Sequence, residues 1–195
     1  MSTEGALVIV TPPATGPVTY DLAKLHCHVD HDEEQSLIEG YILAAAERAE
    51  RWIRRAMIAR TLEYSLPAFP TAGGAIVLPY PPLLDVEQVR YIGTDGQEHE
   101  LDEYDLTVDV RSDPGRVLPA SGAWPATTDV PNAVVVRYVA GYGTEPKDVP
   151  ARYRQAVLML VGHWYANREQ VVMGSIPAEL PEGVRELLWD GPVFA

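Results

Sequence analysis

The 195-residue sequence predicts an α+β fold, with helices at both ends of the chain and a small antiparallel β region inserted between them. Three observations lead there. Apolar residues recur with helical period through residues 37–56 and again through 153–164. Between them, from Thr61 to about Gly143, the chain breaks into short β-branched runs separated by turn residues. Those runs do not alternate with helices as βαβ units would, so the sheet is expected to be antiparallel. Each terminal stripe must be covered by something. The economical solution packs the two ends together as one helical bundle, giving an extended arm over 1–18, a discontinuous helical domain over 19–60 and 146–195, and an inserted β domain over 61–145.

In chain order, "TPPATGP" has the proline density that forbids helix, which makes residues 1–18 an arm. Thr19 or Asp21 can then cap a short amphipathic helix with Leu22, Leu25 and Val29 inward. Asp32 followed by Gln35 resembles a capping box, with Glu33 and Glu34 placed where a helix dipole favours anions. The stripe Leu37, Ile38, Tyr41, Ile42, Ala45, Ala49, Trp52, Ile53 and Ala56 predicts a helix of about six turns ending near Arg60. "TLEYSL", "AIVL", "VEQVRYI", "YDLTVDV", "GRVL" and "AVVVRYV" read as strands, with "GTDGQ", "DPGR" and "DVPN" as turns. Asp148 and Pro150 open a helix over 149–168 carrying Tyr153, Val157, Leu160, Val161 and Trp164. A shorter helix carries Val184, Leu187 and Leu188.

Composition narrows the function. With 15 Lys+Arg against 28 Asp+Glu, the formal charge of -13 argues against broad binding to nucleic acid phosphates. The single cysteine, Cys27, cannot make an internal disulfide, which suits assembly in the cytoplasm. The apolar run Ala6 to Val10 is too short for a signal peptide, and no window reaches the roughly 20 apolar residues of a membrane span.

"LHCHVDHDEE", residues 25–34, is the one stretch that suggests chemistry. A small metal-dependent hydrolase would use His26, His28, Asp30 and His31, as in the His-x-His of amidohydrolase-type barrels. Two arguments oppose it. On a helix, His26 and His28 lie about 200° apart and cannot converge, and such a barrel needs about 250 residues in eight βα units. Cys27 reads as an inert thiol and His163 as a packed histidine. No G-x-S-x-G, H-E-x-x-H, C-x-x-C or phosphate-binding loop is present, so neither a cofactor nor a catalytic residue is expected.

The phrases "DLAKLHCHVDHDEEQSLIEGYILAAAERAERWI", "IVLPYPPLLDVEQVRYIGTDGQ", "PNAVVVRYVAGYG", "VPARYRQAVLMLVGHWYANREQVV" and "ELPEGVRELL", in this order over roughly residues 19–190, resemble the head-to-tail connector, or adaptor, family of long-tailed bacteriophages and phage-like gene transfer particles. The resemblance implies that "VDHDEE" is a structural junction and that positions matching His26 and His28 hold no metal. It implies a structural protein of the virion neck, assembled in the host cytoplasm. Such a subunit forms a ring of about twelve copies with heterologous contacts, docked under the portal protein and joined to the next tail or stopper component. DNA passes through the lumen of such a ring without sequence-specific binding, and no membrane is involved.

On that reading, Arg48, Arg51, Arg54 and Arg55 are ring-interface candidates, able to meet acidic surfaces of a neighbour. Trp189, Val193 and Phe194 are portal-docking candidates, because apolar residues follow the last helix where a free tail would be polar. A monomeric accessory protein binding another virion part is a further possibility.

Overall fold

A computed structural model describes residues 5–168 and 180–189. The chain divides into two compact units: residues 1–13 with 59–141, and residues 14–58 with 142–195. Antiparallel sheets fill the first and helices the second, an α+β architecture.

In the helical unit α1 (Tyr20–His26), α2 (Gln35–Ile53), α3 (Ala151–Ala166) and α4 (Glu182–Leu188) share one apolar core. Ile38, Ile42, Ala45 and Ala49 of α2 meet Tyr153, Val157, Leu160 and Val161 of α3 there, with Val184 and Leu188 of α4. The alanines matter because small side chains let helix axes approach closely.

Local signals were overridden at three points. Thr19 caps α1, its hydroxyl accepting from the Leu22 amide at 3.4 Å, yet the buried residue of α1 is Ala23 while Leu22 and Leu25 face outward. Two helical turns carry too few apolar positions to choose a face, and packing against α2 and α3 favours the small one. The expected Asp32–Gln35 capping box does not form. Asp32 is instead held by Lys24 Nζ at 2.5 Å and by the Tyr20 hydroxyl at 3.0 Å, and Glu34 occupies the cap without bonding to the helix amides.

Finally, α2 ends at Ile53 rather than near Arg60, because Arg54 turns left-handed at φ 53°. The buried run Ala56, Met57 and Ile58 then continues the core outside any helix. Its backbone polar groups still need partners. The Glu50 carboxylate, itself buried, accepts the Met57 amide at 2.7 Å, and Met57 O accepts the Tyr142 amide at 3.0 Å.

The β unit holds a five-stranded sheet of order β1-β2-β8-β4-β5 and a three-stranded sheet of order β3-β7-β6. Its strands are β1 (Ala6–Thr11), β2 (Arg60–Leu66), β3 (Ile76–Val77), β4 (Leu83–Ile92), β5 (Glu98–Leu101), β6 (Leu106–Asp109), β7 (Arg116–Pro119) and β8 (Val134–Ala140). All pairings are antiparallel.

Strand alternation sorts the central strand: Val134, Val136, Tyr138 and Ala140 are buried, whereas Val135, Arg137 and Val139 are half-buried. Tyr138 donates its hydroxyl to Pro79 O at 2.7 Å, tying β8 to the segment after β3, and burial pushes its pKa well above that of an ordinary tyrosine. Two strands went unread in the sequence. β1 lies within the expected arm and pairs with β2, fifty residues later in the chain. β5 is polar, "EHEL", and forms only because the turn through Asp95 and Gly96 (φ 76°) returns it onto β4.

Candidate functional site

The histidine-rich junction does not assemble a metal centre. His26 sits in the last turn of α1 with its imidazole against the backbone of Gly162 in α3, where an added Cβ would come within 2.9 Å of the ring. His28 lies beyond the helix at φ 56°, and Asp30 and His31 continue into an exposed turn. Among the described residues no three His, Cys, Asp or Glu side chains come together as a metal could require. Burial pushes the Cys27 thiol up, away from the thiolate a nucleophile needs.

The acidic end of the same stretch does structural work. Glu34 receives Arg168 through two hydrogen bonds, at 2.5 and 2.9 Å, and the Tyr165 hydroxyl at 2.5 Å. The guanidinium also lies 4.2 Å from the Tyr165 ring centre. A planar fork on a carboxylate fixes orientation as well as distance, so this clamp joins the start of α2 to the end of α3.

The hydrogen bonds from Arg168 and then Tyr165 hold the Glu34 carboxyl down at about 2, from an ordinary 4.5. A depressed folded value means that the contribution is present in full above about 4.5 and is lost as pH falls toward about 2. The melting-temperature gap between wild type and Glu34→Gln should therefore be widest near neutrality and close through that acidic window. Thermal denaturation across the pH range reads it directly, and a gap independent of pH would show that the clamp's charge contributes nothing.

Four arginines cluster at the end of α2. Arg51 pairs with Glu47 one turn back at 2.5 Å, both exposed. Arg54 is exposed at the left-handed cap, and Arg48 and Arg55 are half-buried and engaged in interactions of their own. Arg48 and Arg51 line a groove with Ala44, Glu47, Trp52, Trp164 and Leu180. Trp52 is 51% exposed there instead of closing the core stripe. A cationic rim over an indole floor is a common composition for protein contact surfaces.

Trp189, directly after α4, is 69% exposed. Val193 and Phe194 lie outside the described residues. The structure thus keeps Arg48 and Arg51 on α2, puts Arg54 and Arg55 past its end where the chain turns left-handed, and leaves Trp189 at the end of a different helix. The Glu34–Arg168 clamp and the exposure of Trp52 were not legible in the sequence, since neither belongs to a local pattern.

The comparisons with known proteins follow the same lines. The head completion protein family matches residues 20–175. No curated protein matches the sequence. Among solved structures, a chain from "Neck of empty GTA particle computed with C6 symmetry" superposes with a TM-score of 0.76 at 22% identity, covering 94% of this chain and 93% of that one. A chain from "Virion of native gene transfer agent (GTA) particle" gives 0.75 at 22% identity, covering 93% and 92%. One from "Neck of native GTA particle computed with C12 symmetry" gives 0.72 at 23% identity, covering 94% and 92%. At these identities the likeness speaks for the fold, and the fold and the family match agree. The chain belongs to the head completion protein family.

Proposed function

We propose that this protein is a structural component of the virion neck, a connector that forms a ring beneath the portal and extends the DNA channel toward the tail. One observation carries the reading: nearly the whole chain, helical and β units alike, superposes on nearly the whole of a chain from the neck of a gene transfer particle. Such coverage leaves little of the chain over for a separate activity, and the role is structural, not catalytic.

The helical unit, read as a bundle, forms the body of the connector. About twelve copies related by cyclic symmetry make heterologous contacts, a number suggested by the twelvefold symmetry named for one of the similar necks. The Arg48, Arg51, Arg54 and Arg55 cluster contributes to the contact with an acidic neighbour. The net charge of -13 lets DNA pass without adhering. The segment from Trp189 through Val193 and Phe194 docks to the portal, and the opposite side of the ring meets the next tail or stopper component. Assembly takes place in the host cytoplasm.

The test is the mass of the purified protein, alone and mixed with its portal, by native mass spectrometry. A ring or a portal complex is expected. Deleting residues 190–195 should abolish portal binding and leave the melting temperature unchanged. Unaltered binding by the truncated protein would refute the docking assignment, and a protein indifferent to portal at every concentration would refute the connector reading.

A further inference from the structure

We infer that the free edge of β1 is a contact surface for a second copy of this chain, pairing backbone to backbone with the neighbouring subunit. The inference rests on the ring reading above and names the surface that joins its copies.

β1 is the first strand of the five-stranded sheet and, among the described residues, pairs on one side only, with β2. Its other side presents unpaired backbone N–H and C=O groups, a template for one more strand. Proteins normally blunt such an edge with short length, charge or proline. The other sheet edges among the described residues are blunted: β5 carries Glu98 and Glu100, β3 is two residues long, and β6 is four residues ending in Asp109. β1 has no charge or proline within it and only a register irregularity between Ile9 and Thr11. It runs six residues, "ALVIVT", with Val8 55%, Ile9 53% and Val10 41% exposed. Val8 stands opposite Glu63 and Ile9 opposite Leu62, so apolar side chains project from both faces of the strand.

Charge indicates the occupant. Every copy carries the same formal -13, so two copies repel wherever their surfaces bring carboxylates together. A joint between them therefore avoids carboxylates, at an uncharged edge as at the arginine cluster. From Gly5 to Tyr20 the chain has no Asp, Glu, Lys, Arg or His, and β1 is the exposed strand of that stretch. Topology adds a second reason. An unblunted edge promotes open-ended association unless closure uses it up, and in a closed ring with heterologous contacts the β1 edge of every copy is covered by a different segment of its neighbour.

The experiment compares wild type with the double variant Val8→Lys, Val10→Lys, which installs on β1 the charge that blunts edges elsewhere. Both positions are already exposed, so the melting temperature should not move, while the ring species formed with portal should be lost. In parallel, hydrogen–deuterium exchange on wild type should show β1 amides slowed in the ring relative to the free protein. That arm holds even if the variant folds poorly. Rings formed equally well by the variant would overturn the proposal, as would β1 amides that exchange alike in ring and free protein. A β1-dependent dimer that never grows into a ring would overturn it too. A wild type that forms no ring sinks the ring reading and this inference together, whereas an intact ring with an indifferent β1 sinks this inference alone.

Discussion

Leu160→Ala should lower stability by about 2–5 kcal/mol, the usual loss when a fully buried leucine leaves a cavity. The melting temperature should fall by on the order of 10 °C. Leu160 is buried in α3 among the residues that α2 and α4 bring to the same core. A close-packed interior relaxes only partly around a missing side chain, so the lost contacts are not recovered. The informative control is Leu25→Ala. The sequence pattern places Leu25 inward, but it is 71% exposed, and its truncation should change stability by less than about 0.5 kcal/mol. Thermal denaturation of the two variants side by side decides between the pattern and the packing. Equal losses would mean that the described face of α1 is wrong.

Glu50→Ala should cost about 1–3 kcal/mol, because it leaves the buried Met57 amide without its acceptor. Helix propensity works in the opposite direction, since alanine is the better helix former, but by only a few tenths of a kcal/mol. The unsatisfied amide wins. Glu50→Gln keeps a side-chain oxygen of similar reach and should lose less. Denaturant unfolding of both variants checks the order, and a stable Glu50→Ala protein would show that the chain after α2 finds another partner for Met57. The position also explains why α2 stops early. A carboxylate one turn before the left-handed Arg54 holds the reversed chain, so the apolar run through Ile58 enters the core without remaining helical.

Much of the fold was legible because it follows from short-range rules. The stripes of α2 and α3 repeat for several turns, enough for the helical period to stand out, and both helices lie within the stretches the pattern marked, although α2 stops at Ile53 and not near Arg60. The β-branched runs of β2, β4 and β8 and the turns between strands carry their own chemistry. β1 and β5 escaped for opposite reasons. β1 has strand composition but stands apart from its partner, with α1 and α2 lying between them in the chain. β5 has almost no strand composition and depends on the hairpin turn before it. The groups singled out as candidate sites fared likewise: Arg48 and Arg51 could be placed on one helix, but the end of that helix before Arg54 and Arg55, and the groove that Arg48 and Arg51 line with Trp52 and Leu180, required the fold.

The sequence by itself determined the α+β class, the positions of the long helices and, through a set of ordered phrases, the connector family. Periodicity, turn residues and family phrases are written along the chain. Tertiary structure alone decided which face of α1 is buried, where α2 ends, and that Glu34 answers Arg168 across 134 residues rather than capping its own helix. It also decided that an uncharged strand lies open at the edge of a sheet. Those outcomes depend on which surfaces meet when the chain closes on itself, and a single local preference of a few tenths of a kcal/mol yields to the packing of a whole core.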